Sequence, residues 1–126
     1  MLMAGRVGTK DLDKAIAFYD SIATLVGASR TLNRDTVVGY RGESGATLLV
    51  GIPYEGEASV GNGVQLGFNA PSRGAVDAVH AKALALGGTC EGAPGLRGPE
   101  GPMAFYGAYF RDLDGNKFCV FRTGPA

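Results

Sequence analysis

The sequence predicts an α+β protein that runs one plan twice: a strand, a helix, then three strands. Three observations predict it. Two amphipathic stretches carry apolar residues at three- and four-residue spacing, each opened by a good N-cap residue and closed by glycine. Each is followed by short β-type runs separated by turns rich in glycine, asparagine and aspartate. In the last pair of runs, over residues 106–122, aromatic and β-branched residues flank Asp112-Leu113-Asp114-Gly115. There the aspartates can bond the turn backbone and Gly115 can take a positive φ, so a hairpin is expected.

Taken in order, residues 4–9 read as a strand leading to Asp11 as N-cap. Leu12, Ala15, Ile16, Tyr19, Ile22, Ala23 and Val26 then form one apolar stripe, widened by Phe18 and Leu25, and Gly27 stops the helix. Strands follow at 30–33, 36–41 and 46–51, as a meander. Residues 52–63 break all periodicity with Pro53, Gly56, Gly61 and Gly63, and mark the boundary between halves. The second half opens with a strand at 64–69, and Ser72 caps a helix whose stripe is Ala75, Val76, Val79, Ala83 and Leu86. Gly87-Gly88 ends it, and strands are expected at 89–92, 104–111 and 116–121, with 93–102 as a loop. Asp11 matches Ser72 and Gly27 matches Gly88, as a duplicated unit requires.

A chain of 126 residues suits a single domain with its own core. Twelve basic and twelve acidic residues cancel, with no block of like charge, which excludes an electrostatic footprint for nucleic acid or an anionic membrane. The partners expected are small molecules and other protein chains. No apolar run reaches the roughly 18 residues of a membrane span, and residues 1–6 lack the features of a signal peptide, so a cytoplasmic protein is expected. Cys90 and Cys119 form neither a CxxC pair nor a disulfide framework and are expected as thiols.

The segments Val7-Gly8-Thr9-Lys10-Asp11-Leu12-Asp13-Lys14-Ala15-Ile16-Ala17-Phe18-Tyr19-Asp20 and Arg111-Asp112-Leu113-Asp114-Gly115-Asn116-Lys117, set in this duplicated plan, resemble the glyoxalase, bleomycin-resistance and extradiol-dioxygenase superfamily, the vicinal oxygen chelate proteins. The resemblance covers nearly the whole chain. It implies that the two modules, about residues 1–52 and 63–126, build a curved, cup-like mixed sheet with helices on its outside. It also implies a homodimer, because the modules leave sheet edges that such proteins pair across a twofold axis. In metal-using members, inward side chains of the first and last strand of each module hold a divalent ion. Here those positions fall at Ala4, Leu49, Gln65 and Cys119. Ala4 and Leu49 offer no donor, and one amide with one thiol falls short of the roughly three ligands a catalytic ion needs. The expectation is therefore a metal-free cavity, without a cofactor, that binds a small apolar or aromatic metabolite or antibiotic. The competing reading is a divergent lyase, isomerase or dioxygenase-type enzyme that recruits a divalent metal through Gln65, Cys119 and a loop carboxylate, Glu55, Glu57 or Glu100.

The remaining candidates are pocket-lining. With Cys119 inward, strand parity places either Phe105 with Tyr109 or Tyr106 with Phe110 beside it, and either pair would offer flat apolar surface to a ligand. Arg6, two residues after Ala4, would share its face and suit an anionic group. Leu49 and Gln65 complete the candidate lining. His80, the sole histidine, lies on the second helix and reads as structural. The two loops carry Tyr54, Glu55, Glu57, Arg97 and Glu100 and read as solvated connections or as lids.

Overall fold

The computed structural model describes all 126 residues. Its first module runs β1 (Ala4–Gly8), α1 (Leu12–Ala23), a single 3₁₀ turn (Thr24–Val26), β2 (Ser29–Asn33), β3 (Val37–Arg41) and β4 (Thr47–Gly51). The second runs β5 (Leu66–Asn69), α2 (Arg73–Ala85), β6 (Thr89–Leu96), β7 (Phe105–Arg111) and β8 (Lys117–Thr123). Each module makes a four-stranded sheet, in the orders β1-β4-β3-β2 and β5-β8-β7-β6. The first strand of each pairs in parallel with the last, and the remaining pairs are antiparallel. The tandem plan predicted from the sequence is thus the observed one.

Local chemistry accounts for the helix ends. Asp11 accepts the Lys14 N–H at 3.1 Å and Ser72 the Ala75 N–H at 3.0 Å, each satisfying a donor that has no partner inside the helix. Gly27 closes the 3₁₀ turn in the left-handed region at φ 73°. Gly88 is required for a different reason. A Cβ there would stand 2.7 Å from the Arg111 carbonyl and 2.8 Å from that of Ala83, so only glycine lets the chain leave α2 against β7.

Three strand boundaries differ from expectation by two residues or more, one of them the end of β8, which runs on to Thr123. Strand β6 extends to Leu96 instead of stopping at Gly92, so the expected loop at 93–102 is shorter. It reaches that length through register shifts between Cys90 and Gly92 and between Gly92 and Gly95, and as an edge strand it tolerates Pro94. Strand β5 begins at Leu66, two residues later than expected.

Alternation sorts each sheet into two faces. Val7, Val38, Tyr40, Val50, Ala108, Phe110, Phe118 and Val120 turn toward the helices and form one core with Ala15, Phe18, Tyr19, Ile22, Val76, Val79 and Ala83. Helix α1 joins the sheets: the Tyr19 ring lies 5.9 Å from Tyr40 in the first and 5.8 Å from Phe118 in the second. Fully burying each phenylalanine contributes roughly 1.5–3 kcal/mol. Phe18, Phe110 and Phe118 are all within 1 % of complete burial.

A polar node pins this core to the last hairpin. Asp112, buried, accepts the Tyr19 hydroxyl at 2.5 Å and Asn116 Nδ2 at 2.9 Å on one oxygen, and the Asp114 and Asn116 N–H groups at 3.0 and 2.8 Å on the other. Asn116 Nδ2 also donates to the Gly8 carbonyl at 2.9 Å, and Asp114 accepts the Lys10 N–H at 2.9 Å. The Arg-Asp-x-Asp-Gly-Asn segment therefore serves to lock the end of β1 and the face of α1 onto the second sheet.

Candidate functional site

The faces of the sheets turned away from the helices carry most of the predicted site residues. On the first sheet Ala4, Arg6 and Leu49 share this open face, with Arg6 and Leu49 directly paired across β1 and β4. Arg6 Nη2 donates to the Ile52 carbonyl at 3.1 Å, which holds the guanidinium at the sheet's edge. On the second sheet β8 contributes Lys117, Cys119 and Phe121, and β7 contributes Phe105, Tyr109 and Arg111. Gln65 lies one residue before β5 and is exposed.

The register settles which aromatic pair accompanies Cys119. Tyr109 stands opposite Cys119, so Phe105 and Tyr109 occupy the open face, while Phe110 is fully buried against the helices. Tyr106 is a correction to the candidate lining. It points toward α2, where its hydroxyl donates to Asp77 at 2.7 Å and the Arg73 guanidinium covers its ring at 5.2 Å. The hydrogen bond to Asp77 is the main cause of its raised pKa.

The open face of the second sheet has a definite character. Phe105 and Phe121 stack at 5.3 Å with planes 14° apart, and provide a flat apolar platform. Beside it, Tyr109 is flanked by two cations, Arg97 at 5.6 Å and Lys117 at 5.7 Å from its ring centre. Arg97 is fixed there by hydrogen bonds to the carbonyls of Gly95 and Ala93, at 3.0 and 2.8 Å. Sequence reading left Arg97 as a loop cation and gave no role to Phe121. The aromatic alternation of β8 was the available signal for Phe121, and the extension of β6 that places Arg97 was hidden by its glycines and Pro94. Burial pushes the Cys119 thiol pKa up, partly offset by the Tyr109 hydroxyl, so this thiol is held neutral. Burial likewise raises Tyr109.

The donor set does not fit a catalytic divalent ion. The positions that the resemblance assigns to a metal ion carry Ala4, Leu49, Gln65 and Cys119, and no three His, Cys, Asp or Glu side chains come together to hold one. Of the loop carboxylates, Glu100 is engaged: it forms a two-pronged pair with Arg73 at 2.8 and 2.6 Å, and that pairing lowers its pKa. This pair draws the loop before β7 toward the start of α2. His80 is buried on α2 with Nε2 3.3 Å from Cys90 Sγ, remote from the open face, and burial lowers its pKa.

The model of the Glyoxalase/Bleomycin resistance protein/Dioxygenase superfamily matches residues 3–120. Among solved structures, a glyoxalase/bleomycin resistance protein from Albidiferax ferrireducens T118 is 36% identical over 97% of this chain and 98% of its own, with a TM-score of 0.86. A hypothetical protein from S. aureus is 22% identical over 97% of this chain and 92% of its own, with a TM-score of 0.74. Lactoylglutathione lyase from Agrobacterium tumefaciens is 23% identical over 97% and 92% of the two chains, with a TM-score of 0.65. No curated protein sequence matches. Duplicated module, locked hairpin and family match agree, and the chain belongs to the glyoxalase/bleomycin resistance protein/dioxygenase superfamily.

Proposed function

We propose that this protein binds a small apolar or aromatic molecule, a metabolite or an antibiotic, on the open face of its second sheet and does so without a metal ion. One observation carries the reading. The face that in metal-using relatives would present ligating side chains here presents stacked Phe105 and Phe121 and the cation-flanked Tyr109 ring, with the neutral Cys119 thiol buried beneath them. Such a surface favours a planar apolar body, with Arg97 and Lys117 placed for an electron-rich or anionic edge. A second copy of the chain completes the site in this reading, because the predicted residues divide between two sheets that are not hydrogen-bonded to each other. Arg6 and Leu49 of one copy would then supply the wall opposite Phe105 and Tyr109 of the other.

The test has two arms. Metal content is measured by plasma mass spectrometry on protein expressed in metal-supplemented medium and gently dialysed, and well under one divalent ion per chain is expected. A thermal-shift screen of aromatic metabolites and antibiotics then seeks a stabilising ligand, as any native-state ligand must stabilise. Its affinity should fall about tenfold in Phe105→Ala, the loss expected for a stacked aromatic contact. One retained ion per chain, lost in Gln65→Ala, would instead establish metal-dependent chemistry, and an absence of saturable binding across the screen would remove the binding reading.

A further inference from the structure

A cleft of about 690 Å³ opens on the opposite side of the molecule from the site above, between the end of α1, the start of β4 and the end of β5. Its walls are Tyr19 and Ile22 of α1 and, from the helix-facing surfaces of the two sheets, Tyr40, Leu48 and Phe68. These walls are apolar for a physical reason. Both phenol hydroxyls are engaged elsewhere, Tyr19 with Asp112 at 2.5 Å and Tyr40 with Asp20 at 2.8 Å, which leaves ring surface for the cleft. Phe68 is stacked on Phe118 at 5.0 Å and remains only half-buried, as does Leu48. The volume falls within the roughly 300–1,000 Å³ of small-molecule sites.

One cation lines this cleft, Arg122 of β8. It is half-buried and belongs to none of the chain's ion pairs, which are Arg30 with Asp20, Arg73 with Glu100 and Arg111 with Glu91. No hydrogen bond within the chain engages the Arg122 guanidinium, and none of its nitrogens is sealed from water, so its donors are free to meet an incoming carboxylate at the edge of the apolar wall. Glu43, the cleft's one acid, sits on the exposed turn between β3 and β4, where water screens it.

We infer that this cleft is a second binding site, for a monocarboxylate with an apolar body, whose carboxylate pairs with Arg122 while the body lies against Leu48 and Phe68. A single guanidinium among apolar walls suits one negative charge. A phosphate would leave its second charge unpaired in an apolar surrounding, and a neutral hydrocarbon would leave Arg122 unpaired.

The probe is naphthalene-2-carboxylate, with naphthalene-2-carboxamide as its neutral counterpart, titrated into isotopically labelled full-length protein and followed by amide chemical shifts. Saturable shifts at Tyr40, Leu48, Phe68 and Ala70 are expected, with the carboxylate bound about tenfold more tightly than the carboxamide, the scale of one charge-assisted hydrogen bond. Arg122→Gln should lower carboxylate affinity about tenfold and leave carboxamide affinity unchanged, a split that general loss of structure would not produce. Leu48→Trp, which fills the cleft, should abolish both. The inference is overturned by the absence of saturable shifts, by equal affinities for the two probes, or by an Arg122→Gln variant that binds as the parent does. Shifts confined to Phe105, Tyr109 and Cys119 would also overturn it, while supporting the open-face site. So would movement of the cleft amides on simple dilution without probe, which would show a second copy of the chain occupying the cleft.

Discussion

Replacing Asp112 tests the locking node directly. Its carboxylate receives four donors, two from side chains and two from backbone, at 2.5 to 3.0 Å, and only 5 % of the residue is exposed. In Asp112→Asn the amide oxygen can serve the two backbone N–H groups, but its NH₂ then faces the Tyr19 hydroxyl and Asn116 Nδ2. The hydroxyl can rotate to accept, whereas Asn116 Nδ2 cannot. One donor is left against a donor, and the remaining bonds lose the benefit of a charged acceptor, for a cost of about 2–3 kcal/mol. Asp112→Ala removes the acceptor altogether and should cost about 4 kcal/mol, a large share of the roughly 5–15 kcal/mol that holds a domain together. With a urea slope of about 1.5 kcal/mol per M, the Asn variant should unfold at a midpoint lower by about 1.3–2 M with the slope unchanged. Tyr19→Phe alone should cost about 1.5 kcal/mol, and markedly less when Asp112 is already Asn, because the two residues share one interaction. An Asn variant within about 0.5 kcal/mol of the parent, or additive effects in the double variant, would refute the node's role.

Two further outcomes follow from the same geometry. Burial, reinforced by Asp112, raises the Tyr19 pKa above that of a tyrosine in the unfolded chain, so the unfolded state ionises first as pH rises. Its stabilisation is complete below about pH 10 and is lost as pH climbs toward the folded value, so urea midpoints should fall above pH 10, more gently in Tyr19→Phe than in the parent; parallel slopes would contradict this. Cys90 is exposed and Cys119 is 4 % exposed with its thiol held neutral, so dithionitrobenzoate should label one thiol per chain rapidly in native buffer and the other only in denaturant. Rapid labelling that survives in Cys90→Ser would show the open face to be looser than described.

The fold was legible because its signals are local. Asp11, Ser72, Gly27 and the apolar stripes each act within a few residues of themselves, and the structure places the helix caps where those residues stand. The face of β7 was harder. It follows from counting outward from the turn, where Arg111 pairs with Lys117 and Phe110 with Phe118, but that count needs the turn's length, and the sequence left it open. Strand parity leaves Tyr106 with Phe110 as one of two alternatives beside Cys119, and the observed register selects the other, putting Tyr106 on the helix side. The Asp112 node and the cleft beside Leu48 were beyond reach for another reason. Both arise where α1 meets the second sheet, a contact between segments some ninety residues apart that no periodicity encodes.

The hydrogen bonds from Asn116 to Gly8 and from Lys10 to Asp114 join positions separated by 108 and 104 residues. During synthesis, the first strand and helix leave the ribosome long before the hairpin that fastens them is made. Until then Tyr19 lacks its acceptor and Phe18 lacks Phe110, so the aromatic face of α1 stays open in the nascent chain. Closure over so long a loop carries an entropic cost that only the finished second module offsets. The first module is thus an element in waiting: its helix gains its second wall when the β7–β8 hairpin arrives, and a chain truncated before Asp112 keeps the packing of Tyr19 on Tyr40 without the second-sheet surface that covers the rest of the helix.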